Sequence, residues 1–448
     1  MNKSKKLLAL FLCVVLCFSS SATVFASDMA YWESCWDSAV QDETVISVTP
    51  GKDSTELRFC WLSALNAKNE FRIGTDPELT EANAVPVKET LTLTAQKRCS
   101  VDAGGLLPDT QYFYRYTKNG TWSNVYSVRT DADNAPLTVL AVSDIQLGRS
   151  GDWKEKDVLL HDLAGWDTTL QAAAKQNPNI SLCLSAGDQA EIGAVEQQYR
   201  LFLAPDTLRS LPIATTVGNH EFYFPLLNLH FNYPNRVRNN IVHSLGDEPY
   251  YFVKGNTLFI VLDSNNLVSW DHEAVLEKAV KAYPDTRWRT VLMHQSLYTC
   301  EFDESEVPLL RKTLSPLLQK YGVDLVVSGH SHRYSRSKPI MDGAVSDNGV
   351  VYLECGCSSG CNGHSAPEVM PSFSAAGYHA DDPVYSILEF GADEIQIRSY
   401  AVIDGESVLM DSASATGIEH TTPSMSLPIR LLHGILSVFG SIISVFFS

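Results

Sequence analysis

Five times in this chain an apolar run ends in a carboxylate, an amide or an imidazole, and that recurrence limits what the chain can fold into. Leu137 to Val142 runs into Ser143-Asp144-Ile145-Gln146, and Ile180 to Ser185 into Gly187-Asp188-Gln189-Ala190-Glu191. Leu211 to Thr216 leads to Val217-Gly218-Asn219-His220-Glu221, Thr290 to Met293 leads to His294, and Asp324 to Ser328 leads to Gly329-His330-Ser331-His332. Short apolar runs of this kind read as buried strands. Helical patterns lie between them, at 157–176, 194–203, 273–281 and 307–321, the last interrupted by Pro316. Strands alternating with helices are an α/β signature, and such folds build their sites at strand ends. Gly218 is expected to let the backbone turn sharply, because it lacks a Cβ.

Each of these polar residues alone is a weak signal, since carboxylates cap turns and lone histidines pack in cores. Together and in order, they point to one shared centre. A mixture of oxygen and imidazole donors suits Zn, Mn or Fe better than Mg or Ca.

The stretch before them has a different character. Residues 44–131 read as all-β: strand alternation puts Leu57, Phe59 and Trp61 on one face, and Asn119-Gly120 marks a hairpin. Short strands at this spacing suggest a sandwich. Leu107 to Arg115, with its Leu-Pro-Asp-Thr-x-Tyr-x-Tyr-Arg pattern, resembles the corner region of fibronectin type III domains. The module has no clustered ligands and reads as a support or binding unit. A Tyr- and Trp-bearing lead-in strap, 27–43, precedes it, and Asp131 to Pro136 is a linker by composition.

Lys3-Ser-Lys-Lys6, the apolar run Leu7 to Phe18 and Val24-Phe25-Ala26 form the three parts of a secretory leader over 1–26. Eight cysteines follow it: Cys35, Cys60, Cys99, Cys183, Cys300, Cys355, Cys357 and Cys361. In an exported chain an even number suggests disulfides of unknown connectivity, here within the 355–361 loop or from it to Cys300. The net charge of -18 argues against duplex nucleic acid as a partner. It leaves room for an anionic small substrate, because bound cations can reverse the sign locally.

The five blocks resemble those of the calcineurin-like metallophosphoesterases, and within them the purple acid phosphatase-like branch, whose amino-terminal domain the β-module also resembles. The resemblance covers residues 44 to about 400. It implies a four-layer α-β-β-α sandwich over 137–410 behind the fibronectin type III-like sandwich. It also implies two divalent metal ions (Zn, Mn or Fe) bridged by Asp188 and a water or hydroxide, one ion taking Asp144 and His332, the other Asn219, His294 and His330. Two such cations lower the pKa of the bridging water and clamp phosphoryl oxygens. His220 would stabilise those oxygens or protonate the leaving group, with Glu221 orienting it. The chain departs from the branch at two positions. Glu191 stands where the branch carries a Tyr ligand, so no visible charge-transfer band is expected. Gln146 stands where many other relatives carry His. Both are left open between direct ligation and a place behind the ligands.

Tyr223, Tyr298, Arg333 and His364 are candidates for the substrate pocket. Gly356-Cys-Ser-Ser-Gly360 fits a serine-hydrolase elbow, but no helix follows it, and the match reads as accidental. A polar linker, 411–430, leads to an amphipathic apolar tail, 431–448, suited to lying on a membrane surface. The implied function is an exported binuclear phosphoesterase acting on phosphate monoesters. Its alternatives are a phosphodiesterase or nucleotide hydrolase on the same site, and a catalytically weak cell-surface binding protein.

Overall fold

The computed structural model describes residues 29–80, 82–237, 248–300, 307–378, 381–420, 422–424 and 426. The leader, 1–26, and the apolar tail, 431–448, lie outside these residues.

The front module is a β-sandwich. One sheet runs Ser47–Pro50, Glu56–Ala64, Gln96–Gly104, Lys88–Leu91. The other runs Asn83–Val85, Phe71–Gly74, Gln111–Lys118, Thr121–Trp122, with Tyr126–Arg129 also on Gln111–Lys118. Phe59 and Trp61 from the first sheet meet Phe71, Tyr114 and Tyr116 from the second in one aromatic core. Lys118 and Thr121 close the hairpin at Asn119-Gly120. The opposite face of Glu56–Ala64 is also covered: Cys60 and Leu62 are buried, and the Cys60 thiol donates to the Leu229 carbonyl. The following domain therefore seals the outer face of this sheet.

Residues 29–41 are a helix rather than a strap. Trp32 and Trp36 lie in the same core as the following domain, and the Trp32 indole donates to Asp167 at 3.1 Å. Spacing of these aromatics on one helical face explains the docking.

Residues from 137 onward form two mixed sheets. The six-stranded sheet has the order Ile213–Thr215, Leu182–Ser185, Leu137–Val142, Val384–Phe390, Ile395–Ile403, Glu406–Ala415. The first three strands are parallel neighbours. The seven-stranded sheet begins with Tyr250–Lys254 and then sets Thr257–Val261, Trp288–Gln295, Leu325–Gly329 and Val351–Cys355 side by side in parallel. Tyr334–Ser337 and Ser374–Gly377 complete it. Val139, Ala141 and Leu184 of one sheet share a core with Phe259, Leu292 and Val327 of the other. Helices Lys156–Gln176 and Glu196–Leu203 cover the first sheet, and Ser269–Ala282 and Val307–Lys320 the second. The result is the expected four layers, α-β-β-α. Parallel strands in both sheets end at the same edge, so the five polar blocks emerge together.

Two expectations are corrected here. The helix Val307–Lys320 passes through Pro316 without a break. Burial of Leu310, Leu314 and Leu318 on one stripe outweighs the hydrogen bond that proline forfeits. The catalytic domain also extends beyond 410 into the expected linker. Glu406–Ala415 is an edge strand, and the Ile418 N–H and His420 ring bind the Asp324 carboxylate at 2.9 and 2.8 Å. Its Ser-Ala alternation is that of a strand with one open face, which composition alone cannot separate from a linker.

Arg209 joins the two domains. Its buried guanidinium donates to the carbonyls of Ile46 and Leu203, while its own carbonyl accepts from the Tyr114 hydroxyl at 2.7 Å. Arg209→Ala leaves these buried acceptors unpaired and is expected to cost about 2–4 kcal/mol, measured as a lower denaturant midpoint at unchanged slope.

Candidate metal centre

The site begins with backbone geometry. Asp144, Gln146, Asp188, His330 and His332 all take left-handed φ values, between 38° and 86°. Non-glycine residues are uncommon in this region, and five gathered at one place point to surroundings that hold them there. Adjacent loops are packed so closely that a Cβ at Gly218 would lie 1.9 Å from Asp188 Oδ1, and one at Gly329 1.7 Å from Ser143 Oγ. Gly218 takes no left-handed φ. Its glycine serves the close approach to Asp188 rather than the sharp turn expected from sequence.

Three histidines are anchored in the same way. The Nδ1–H of His294 donates to the Ala186 carbonyl at 2.8 Å, that of His332 to the Asn362 carbonyl at 2.9 Å, and that of His220 to the Glu191 carbonyl at 2.6 Å. Each anchor fixes the ring and leaves Nε2 facing the site. His294 Nε2 lies 3.2 Å from Asp188 Oδ2 and 3.0 Å from Asn219 Oδ1. His330 presents Nδ1 to the same Asn219 oxygen at 2.9 Å and to His294 Nε2 at 3.3 Å. His332 Nε2 lies 3.6 Å from Asp144 Oδ1, on the other side. Asp144, Asp188 and His294, all buried, offer ligand atoms within 4.8 Å of one another.

Electrostatics show what the cluster lacks. Burial alone would disfavour the His294 imidazolium, but Asp188, and more weakly Asp144, push its pKa up to about 10. Burial works against the Asp188 charge, yet His294 and His220 hold its carboxyl well below the usual range. Two buried carboxylates thus draw a proton onto the His294 ring, which is positioned as a ligand. A cation would satisfy the same oxygens and nitrogens together, so this donor set fits metal ions.

Comparison with known proteins agrees. Residues 137–334 match the family model for calcineurin-like phosphoesterase, and residues 44–130 that for the purple acid phosphatase N-terminal domain. The chain carries a calcineurin-like phosphoesterase domain behind a purple acid phosphatase N-terminal domain. Purple acid phosphatase 21 of Arabidopsis thaliana is 26% identical over 271 residues, covering 57% of this chain and 57% of that protein. Purple acid phosphatase 1 of Ipomoea batatas is 28% identical over 234 residues, covering 45% of this chain and 47% of that protein. The chain spans about half the length of the curated relatives it matches. A purple acid phosphatase from yellow lupin (Lupinus luteus) seeds is similar in fold, with a TM-score of 0.67 at 17% identity over 83% of this chain and 73% of that chain. The structure of PhoD gives a TM-score of 0.60 at 14% identity over 90% of this chain and 99% of that chain.

Within this phosphoesterase domain, Glu191 and Gln146, the two positions expected from sequence to depart from the branch, have definite surroundings. Glu191 Oε1 pairs with Arg149 at 3.1 Å, and Oε2 lies 3.5 Å from His220 Nδ1. Gln146 is buried, its Nε2 3.5 Å from Asp188 Oδ2 and its Oε1 without a hydrogen-bond partner among the described residues. An orphaned amide oxygen at this depth is the atom a nearby cation would recruit.

Glu221 does not orient His220, as the sequence reading had it. Its buried carboxylate accepts from the backbone N–H groups of Asp188, Ala190 and Gly218 at 3.2, 3.0 and 2.9 Å. Burial and the Asp188 charge push its pKa up to about 7, against the pull of those N–H groups. The carbonyl that holds His220 belongs to Glu191, a main-chain contact that no residue pattern announces.

Of the proposed pocket residues, His364 stacks on His332 with ring centres 5.7 Å apart, and Arg333 donates to the Ser365 carbonyl at 3.0 Å. Burial, then Arg333 and His332, lower the His364 pKa. Tyr223 is 70% exposed on the loop after Glu221. Tyr298 is a correction: it is 4% exposed and packs against Tyr352 and Phe373, so its ring is committed to the core. Arg149 was missed by sequence reading, although its spacing from Asp144 placed it on the same loop. The Cys357 and Cys361 sulfurs lie 3.5 Å apart, close but not bonded.

A raised His294 pKa means that below about 10 this ring is protonated in the metal-free protein, whereas a ligand must be neutral. Metal binding is therefore expected to release about one proton per His294 at neutral pH and to weaken as pH falls. Titration calorimetry in buffers of different ionisation enthalpy measures this release; zero net release contradicts it.

Proposed function

We propose that this chain is an exported hydrolase of phosphate monoesters working with two divalent ions, Zn, Mn or Fe. The observation that supports this reading most is the convergence of Asn219 Oδ1, His294 Nε2 and His330 Nδ1 beside Asp188, with Asp144 and His332 opposite. Asn219, His294 and His330 would hold one ion, Asp144 and His332 the other with Gln146 as a neutral donor, and Asp188 would lie between them. Ions held there would supply positive charge to the phosphoryl oxygens and lower the pKa of an attacking water.

The protein's own part is positioning and proton handling. His220 is anchored at Nδ1 and leaves Nε2 3.9 Å from Asp188 Oδ2. Burial disfavours its charge, but Asp188 and the Glu191 carbonyl and carboxylate raise its pKa. It can thus carry a proton at Nε2 and deliver it to the ester oxygen that leaves. Arg149 pairs with Glu191 beside this ring. Arg333 and His364 lie on the His332 side, where they would meet further anionic parts of a small phosphorylated or nucleotide substrate. Similarity to proteins named purple acid phosphatases supports the phosphatase reading.

The test is a panel of aryl phosphate monoesters and diesters with protein reconstituted with Zn, Mn or Fe. His220→Ala is expected to lower kcat by about 10²–10⁴ while retaining metal, and Asp188→Ala to lose both metal and turnover. Absence of turnover with every ion, or a parent protein indifferent to Asp188→Ala, removes the enzymatic reading.

Export carries a second expectation. In an oxidising compartment Cys357 and Cys361 are the pair placed to join. Peptide mapping of secreted protein, alkylated without reduction, should recover them linked. Recovery of both as alkylated thiols removes the pairing.

A further inference from the structure

The turn His330–Arg333 carries two of the proposed ligands, His330 and His332, and it crosses over a strand. It leaves Leu325–Gly329 and returns as Tyr334–Ser337, and Val351–Cys355 lies between those two strands in the sheet. Ser328 and Ser335 both pair with Glu354, one from each side. Glu354 therefore sits directly beneath the turn.

A buried strand residue at the middle of a sheet is ordinarily apolar, because burying a carboxylate is costly unless it is fully hydrogen-bonded. Glu354 is 1% exposed. Its Oε1 accepts from the Ser331 hydroxyl at 2.5 Å and its Oε2 from the Ser335 hydroxyl at 2.8 Å. The Thr299 hydroxyl adds a third bond. Ser331 is the residue between His330 and His332, whose φ values are 86° and 60°. Two left-handed histidines flanking one serine make a strained turn, and such turns persist only where the surroundings over-determine them. The bond from Ser331 fixes the middle of the turn from below. The His330 N–H, donating to both Asp144 oxygens at 3.2 and 3.0 Å, fixes it from the side.

We propose that Glu354 is a positioning residue of the centre: through Ser331 it holds His330 and His332 at the spacing that places one imidazole toward each ion. The inference rests on the reading of those histidines as ligands. Glu354 touches neither substrate nor ion. It acts by removing the conformational freedom that the turn would otherwise lose on binding metal, so its contribution is to metal affinity and not to the chemical step.

The experiment uses the full chain and measures affinity for Zn and Mn by competition with a chelator, together with kcat and KM at limiting and saturating metal. Glu354→Ala is expected to weaken metal binding about 10-fold or more, with kcat returning at saturating metal. Glu354→Gln keeps an acceptor for Ser331 and should stay within about 3-fold of the parent. Ser331→Ala should weaken binding in the same sense, and the double variant Glu354→Ala/Ser331→Ala should lose no more than the worse single one, since both remove one interaction. If Glu354→Ala does not fold, the comparison of Ser331→Ala with Glu354→Gln decides. A parent that binds two ions while Ser331→Ala binds them equally well overturns this inference alone, as do fully additive losses. A parent that binds no ion overturns both this inference and the functional reading beneath it.

Discussion

Three backbone N–H groups from two neighbouring loops end on the single carboxylate of Glu221. Hydrogen bonds to a charged acceptor contribute about 1.5–3 kcal/mol each, enough together to offset much of the burial of that charge. This tie draws the Asp188 loop against Gly218 so tightly that no side chain fits between them. Asp188 and Asn219 are thereby set beside one another, and His220 follows with its N–H on Asp188 Oδ1 at 3.1 Å. The other strand ends add their ligands to this fixed pair.

The same closeness creates the electrostatic problem that cations would solve. Asp144 and Asp188 are both buried beside His294, an arrangement that holds a proton on that ring where it could hold metal. The backbone is strained at five positions around it. Strain and uncompensated charge in one place are what binding sites retain and cores avoid. The rings of His294, His332 and His220 are each tied to a carbonyl, at Ala186, Asn362 and Glu191, so that part of their orientation comes from the main chain.

The front sandwich bears on this centre from a distance. The segment after Glu221 continues through the short helix Leu226–His230, and that segment is gripped by the front module. Thr49 donates to the Asn232 carbonyl at 2.9 Å and Arg98 to the Asn228 carbonyl at 3.1 Å. The β-module therefore acts as a buttress for the chain that leaves the catalytic loop, in keeping with its lack of ligands of its own.

Sequence by itself determined the alternation of strands and helices, the order of the five blocks and the residue types at the centre. Buried parallel strands must be apolar, so each polar residue that ends one stands out, and five such endings in one chain share an edge of the fold. Local turn chemistry was also enough for the hairpin at Asn119-Gly120. What only the tertiary structure decided are contacts between groups far apart in the chain or lacking a side chain. Glu221 turned to backbone N–H groups rather than to its neighbour His220, because burial leaves a carboxylate no water and those donors converge there. Tyr298 entered the core, the polar stretch 406–415 joined a sheet edge, and Glu354 came to lie beneath the His330–Arg333 turn, each through a partner that sequence order does not reveal. Residue identity names the available chemistry, but long-range packing assigns each group its partner.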